Sequence, residues 1–305
     1  MILASWRVST KKQYSTYLKQ FEVFCKARGK SVMNADFRLG LDFLYELHSK
    51  GLSYSAVNTA RSALSSVLIT DQPHVDFGMH KIVCRFMKGV YNSRPSLPRY
   101  SAIWDPDVVL RYLSILSPRH RLSLKSLTLK VVMLLALLSA QRVQTLHCIT
   151  LDVISFTSDS VQLAVDVLLK TSRPNWHLEP MLFKRYNDRK SLCIFRYLKT
   201  YIERTKEIRK DERHLLISYM KPHNRVTKST ISRWIRTVMA KSGVDISIFK
   251  AHSTRAASSS KAAQYVAMDK ILKAGGWSSE SCYLKHYNLC RNSDNSVPNA
   301  VLHDV

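Results

Sequence analysis

The sequence predicts a mostly α-helical protein with one small antiparallel β-sheet, an α+β chain in two parts. Apolar residues recur at three-and-four spacing through most of the chain, which is the period of amphipathic helices. Between residues 151 and 182 the pattern changes to short runs rich in Val, Ile and Leu, separated by turn residues, as strands are. The chain has 305 residues, room for two cores at about 100 to 200 residues per domain.

The first part reads as a four-helix bundle. Ser9 or Thr10 is placed to cap a helix that turns Tyr14, Tyr17, Leu18, Phe21, Phe24 and Cys25 to one face. A second helix runs from about Asp36 to His48 with Phe37, Leu41, Leu44 and Tyr45 inward. Gly51 separates it from a third, capped near Ser53 or Ser55, which presents Val57, Ala60, Ala63, Leu64, Val67 and Leu68. A fourth, near His80 to Tyr91, offers Ile82, Val83, Phe86, Met87 and Val90. The outer faces carry Lys11, Lys12, Lys19, Lys26, Arg28, Lys30 and Arg61, a surface that suits DNA and suits bulk water equally well.

The stretch NSRPSLPR, Asn92 to Arg99, has two prolines and no apolar period, so the parts are divided there: residues 1–94, a linker at 95–104, and residues 105–305. The second part opens with a helix from about Asp105 and a strongly apolar one from Leu127 to Ala140. Strand-like runs follow at Leu151 to Phe156, Val161 to Leu169 and Trp176 to Leu182, divided by TSDS and TSRPN. Helices return at Ser191 to Thr205 and near Ser229, where Ile231, Trp234, Ile235, Val238 and Met239 form a stripe, and the chain from His252 onward is again mostly helical.

Charge narrows the partner. There are 47 Lys and Arg against 22 Asp and Glu, a formal net charge of +25 and a pI near 10.0. Such an excess is self-repulsive unless phosphates neutralise it, so nucleic acid is the expected partner, ahead of anionic membrane or ribosomal surfaces. The six cysteines show no CxxC spacing and no cleanly paired histidine. No metal site is expected, and the thiols are read as reduced. The run VVMLLALLSA is far shorter than the roughly 20 residues of a membrane span, and MILASWRVSTKK lacks a signal-peptide core. Neither membrane insertion nor export is expected.

Five places carry chemistry. Arg142 ends an otherwise apolar helical run, LLALLSAQRVQTL, so its charge must meet solvent or an anion. Lys170 stands at the tip of the strand pair, where an ammonium can reach into a cleft. His252 and Arg255, in AHSTRAASSSKAA, sit three apart at the start of an Ala-rich helix. That end of a helix disfavours a cation unless an anion is also bound, so the pair favours a phosphate site. Gly275, Gly276 and Trp277 precede SSESCYLKHYN, with Tyr283 and Tyr287 four apart on a helix. Taken singly, each has a bland reading: a dipole-complementing arginine, a loop lysine, core aromatics.

In order, Arg142, Lys170, His252-x-x-Arg255, Gly276-Trp277 and Tyr287 resemble the catalytic series of the tyrosine recombinases, the phage integrase family. The resemblance implies that residues 1–94 are the family's helical, SAM-like core-binding domain and residues 105–305 its catalytic domain. It implies that Arg142 and Arg255 hold the scissile phosphate, Lys170 protonates the departing 5'-oxygen, His252 assists proton transfer, and Trp277 contributes packing and a hydrogen bond. Tyr287 would attack and form a 3'-phosphotyrosine, conserving the bond energy without ATP, metal or small-molecule cofactor. Tyr287 is preferred because it stands ten positions beyond Trp277, near the family's interval; Tyr283, six beyond, is the second choice.

One position departs from the pattern. Many prokaryotic members carry an acidic residue three positions after the first arginine, where this chain has Thr145. QRVQTL and GWSSESCYLKHYN look more like the recombinases of eukaryotic DIRS-like and Crypton mobile elements, which implies a nuclear location in a eukaryotic cell and a cytoplasmic, nucleoid-associated one otherwise. The expected partner is double-stranded DNA, gripped by a clamp with steep salt dependence, by four protomers on two sites, with the tail from Asn288 to Val305 docking on a neighbour. The alternatives are a recombinase-derived DNA-binding protein weakened in catalysis, a type IB topoisomerase, and a structural or RNA-binding role.

Overall fold

The computed structural model describes residues 5–68, 74–97, 100 and 102–287, and the chain divides into two units at Arg99 and Tyr100. The tail expected to dock on a neighbour lies outside the described residues.

In the first unit α1 (Val8–Lys26), α2 (Phe37–Ser49), α3 (Tyr54–Ser65) and α4 (Lys81–Ser93) form a bundle. Side chains close three of the four N-termini. Asp36 accepts from Leu39 N at 2.8 Å, Ser53 from Ala56 N at 3.4 Å and the His80 ring from Ile82 N at 3.3 Å. α1 begins earlier than the Ser9 or Thr10 cap predicts, at Arg7, with no side-chain cap. The core is aromatic at its centre: the Phe43 ring lies 5.2 Å from both Phe21 and Phe24. Gly40 lets α2 approach this core, since a Cβ there would stand 2.6 Å from Leu68 Cδ1 and 2.8 Å from Phe77 Cε2. Tyr45, Val67 and Ile82, expected inward, are exposed. Phe43 and Leu47 turn inward from α2 instead, because the apolar stripe is offset by one position from the expected one.

The second unit is built around α6 (Leu124–Ser139), which is buried on every side and packs against α8 (Ile194–Thr205), α9 (Lys228–Lys241) and α10 (Ser253–Ala262). A helix apolar all round belongs in such a position. α5 (Pro106–Ile115) starts with proline in its first turn behind the cap Asp105, which accepts from Asp107 N at 3.0 Å. The expected linker at 95–104 is anchored at its far end: Ile103 and Trp104 are buried, and Trp104 Nε1 donates to Ser253 Oγ at 2.8 Å. The remaining helices are α7 (Val143–Cys148), α11 (Met268–Gly275) and α12 (Glu280–His286). Among the described residues no helix is long and apolar enough to cross a membrane.

The sheet has three antiparallel strands in the order β1 (Ile154–Phe156), β2 (Ser160–Leu163) and β3 (Met181–Lys184), with Ile154 opposite Leu163 and Ser160 opposite Lys184. Thr157 N donates to Ser160 O at 2.9 Å, so TSDS forms the expected turn. Both later strands are shorter than the apolar runs predict. β2 stops at Leu163 because the chain beyond it leaves the sheet, and Leu168 is exposed. β3 begins only after Pro174 and Pro180, which have no N–H for a ladder. The result is a long connection, 164–180, that carries Lys170.

Candidate active site

α6 ends at Ala140, which turns the chain through the left-handed region at φ 49° and ψ 25°. Its carbonyl accepts a short hydrogen bond from Arg255 Nη1, while Nη2 donates to Gly275 O at 2.8 Å. Arg255 is 2% exposed, with its guanidinium carbon 3.7 Å from the centroid of the Trp277 ring and 5.2 Å from that of Tyr287. Its pKa is pulled down to about 9, by burial first and then by the like charge of Arg142, while the facing Tyr287 side chain acts in the opposite direction. The group remains a cation at neutral pH. Two carbonyl dipoles and a ring face hold it, and its Nε–H has no acceptor among the described residues.

Trp277 owes its place to two glycines. A Cβ on Gly275 would fall 1.7 Å from the Trp277 ring, and Gly276 caps α11 with φ 69°. The buried Trp277 ring meets Tyr283 and Tyr287 edge-on, each at 5.0 Å, and its Nε1–H also lacks an acceptor among the described residues. The two tyrosines then part company. Tyr283 is 0% exposed, donates its hydroxyl to Ser259 O at 3.1 Å, and has its phenol pKa raised by burial. Tyr287, at the end of α12, is half-buried, and its hydroxyl lies 3.2 Å from Nε2 of His252. Ser260 Oγ donates to Tyr287 O at 2.7 Å and fixes the backbone that carries the phenol.

The other side chains complete the ring of groups. His252 is the exposed N-cap residue of α10, and Arg255 lies in that helix's first turn, where the dipole is positive. Arg142 is not at the end of the apolar helix, as the sequence predicts; it is the N-cap residue of the next, α7, because the left-handed turn at Ala140 interrupts the run. Lys170 is exposed, in a turn of the 164–180 connection. A cavity of about 300 Å³, lined by Lys170, Thr171, Arg173, Trp176, Gly276 and Ser278, joins that loop to the residues on either side of Trp277. The structure thus brings His252, Arg255, Trp277 and Tyr287 into contact, places Arg142 near enough for its charge to act on Arg255, and puts Lys170 on the wall of this cavity. Among the described residues no group of three or more His, Cys, Asp or Glu is placed to hold a metal.

The fold adds three contributions that the sequence alone does not assign. Gly275 makes room for the Trp277 ring, Ser260 holds the Tyr287 backbone, and Gln141 bridges Thr145 to α11, donating to Ala274 O at 2.6 Å and accepting from Thr145 Oγ1 at 3.2 Å. The only sequence signal for Gln141 is a polar residue where an apolar run meets the first arginine.

A model of the phage integrase family matches residues 105–292. Among solved structures, the Tn1549 transposon integrase in complex with transposon right end DNA is similar over 98% of this chain and 93% of that one, at 12% identity and a TM-score of 0.63. The XerH site-specific recombinase bound to difH, a pre-cleavage complex, matches over 90% and 76%, at 14% identity and 0.61. A lambda integrase tetramer bound to a Holliday junction matches over 97% and 77%, at 15% identity and 0.56. At these identities the likeness is one of fold. No curated protein matches the chain by sequence.

Proposed function

The chain belongs to the phage integrase family of tyrosine recombinases, and on that footing we propose that it is a site-specific DNA recombinase or integrase working through a 3'-phosphotyrosine at Tyr287. One observation carries the reading. A guanidinium and an indole, both buried and each with an N–H that no described group accepts, flank a tyrosine hydroxyl already paired with a histidine. A phosphate seated there satisfies the donors and lies within reach of the phenol.

Arg142 and Arg255 bind the non-bridging oxygens and stabilise the charge that grows as phosphorus becomes pentavalent. The Tyr287 oxygen attacks phosphorus and the phenol proton passes to His252. The bond from phosphorus to the 5'-oxygen breaks, and Lys170, reaching from its loop, protonates that oxygen. A second DNA end reverses the sequence: its 5'-hydroxyl displaces Tyr287 and restores a phosphodiester. Trp277 packs beneath Arg255 and donates Nε1–H to the phosphate.

Double-stranded DNA is the substrate on this reading, and four protomers act on two sites; the neighbours were captured on DNA, the lambda integrase as a tetramer. The net charge of +25 supports the same partner. We place the protein with the recombinases of eukaryotic mobile elements, of the DIRS-like or Crypton kind, and hence in the nucleus; QRVQTL and GWSSESCYLKHYN support this.

The test is a covalent trap. Nicked duplexes selected for binding from a randomised pool are incubated with the protein, and tyrosine-linked product is mapped by mass spectrometry. An adduct at Tyr287 that disappears in Tyr287→Phe is expected. No adduct from intact, DNA-binding protein favours a recombinase-derived binding protein, and relaxation of any supercoiled plasmid by monomer favours a topoisomerase.

A further inference from the structure

Thr145 stands where the family resemblance leads to an expected carboxylate, and the structure gives it a buried hydrogen-bond partner instead. Thr145 is buried on α7, and its hydroxyl donates to Gln141 Oε1 at 3.2 Å. Gln141, also buried, uses the other end of its amide to donate to Ala274 O at 2.6 Å, across to the last turn of α11. Its backbone N–H is accepted by Ser139 Oγ at 3.2 Å. The amide therefore spans the two segments that hold Arg255: Ala140, next to Gln141, supplies one carbonyl, and Gly275, next to Ala274, supplies the other. The same two segments carry Arg142 on one side and Trp277 on the other.

We infer that Thr145 and Gln141 are positioning residues, an uncharged relay that sets the distance between the carriers of the two arginines. This rests on the strand-transfer reading above. The physical argument concerns orientation as much as distance. The Ala274 carbonyl only accepts and so turns the amide nitrogen toward itself, which leaves the amide oxygen facing Thr145, whose hydroxyl supplies its donor. Without the hydroxyl the buried amide oxygen is left without that donor, and relieving the cost displaces the side chain that holds Ala274. α11 then shifts, and with it the Gly275 carbonyl and the Trp277 ring that seat Arg255. Because the relay is neutral, the guanidinium charge stays unspent for the phosphate. A carboxylate in the same place would hold the segments and also offset part of that charge.

The relay touches no reacting atom, so its loss acts on the chemical step. Thr145→Val keeps the shape and removes only the donor; Thr145→Ser keeps the donor and removes a methyl. Single-turnover cleavage of a nicked duplex at saturating DNA is measured beside DNA affinity and the melting midpoint. Thr145→Val is expected to cleave about tenfold more slowly, in line with displacing a catalytic group by under an ångström, with affinity unchanged. Gln141→Met, matched in length but without an amide, behaves likewise, and Thr145→Ser returns to the parent rate. Hydrogen exchange over residues 272–278 rises in the two impaired variants and not in Thr145→Ser. Parent-like cleavage by Thr145→Val, or equal slowing in Thr145→Ser, overturns the inference while the strand-transfer reading stands. If the parent protein itself forms no tyrosine-linked product, both fall.

Discussion

Two of the buried cations of the second unit, Lys130 at the junction of α5 with α6 and Arg255 at the junction of α10 with α11, are held in the same manner. Lys130 is 0% exposed, donates to Leu113 O and Leu116 O at 2.7 Å each, and lies 3.8 Å from the centroid of the Tyr197 ring. Arg255 has two carbonyls and the face of Trp277. The difference is in what remains. Lys130 closes the carbonyl end of α5, and its three donor directions are used by two carbonyls and a ring. Arg255 keeps a spare N–H, a second guanidinium whose charge it feels, and a phenol beside it. Neither burial nor a spare N–H alone marks a functional cation, since buried Arg209 also has an Nε–H with no acceptor among the described residues; a spare N–H beside a second guanidinium and a half-buried phenol does.

Truncating each cation gives the largest contrast. In Arg255→Ala the Ala140 and Gly275 carbonyls lose their donor and Trp277 loses its support, so stability falls by about 3 kcal/mol and cleavage of a nicked duplex by about 10³-fold. Lys130→Met leaves the cleavage rate at saturating DNA unchanged once the protein is folded. Equal losses of cleavage in the two variants, measured by single turnover with stability followed by urea unfolding, would erase the distinction.

The pH dependence of stability sharpens it. Burial pulls the Lys130 pKa from the ordinary 10.5 down to about 7. Between those values the unfolded chain binds a proton that the fold has shed, so stability rises with pH in that window and carries the full cost of the buried charge below it. Relative to Lys130→Met, the parent protein gains about 1 kcal/mol per pH unit from pH 7 to 10. Urea unfolding at four pH values checks this; parallel curves for the two proteins would mean that the ammonium stays charged in its carbonyl cage.

How much of this was legible beforehand depends on distance in the chain. The bundle helices could be read because a cap and an apolar stripe are local: Asp36, Ser53 and His80 do what their types predict. Arg142, His252, Arg255, Trp277 and Tyr287 could be named in order because the family resemblance supplied the grouping. Which tyrosine is fully buried could not be read, since Tyr283 and Tyr287 share a helical face and the Ser259 carbonyl that takes the Tyr283 hydroxyl lies 24 positions away. Gln141 was invisible for the same reason, its partner lying 133 positions away, whereas Gly275 stands in the motif but its role depends on the indole of Trp277 folding back over it. Lys130 left a local trace, one lysine inside LTLKVVMLL, but no local signal says that carbonyls at the end of α5 will meet it.

The smallest expected effect tests whether the Arg255 corner is held under strain that the Lys130 corner lacks. Leu116, whose carbonyl serves Lys130, has φ −71°, an ordinary value, whereas Ala140, whose carbonyl serves Arg255, has φ 49°. An alanine in the left-handed region costs about 1 kcal/mol that glycine avoids. Glycine returns part of that advantage through the greater freedom of the unfolded chain. Ala140→Gly is therefore expected to raise stability by about 0.5 kcal/mol in urea unfolding while slowing cleavage two- to threefold, about the effect of a slightly looser carbonyl on Arg255. A loss of stability instead would mean that the methyl group of Ala140, packed against the cluster of Ile271, Trp277 and Tyr283, contributes more than its backbone conformation costs.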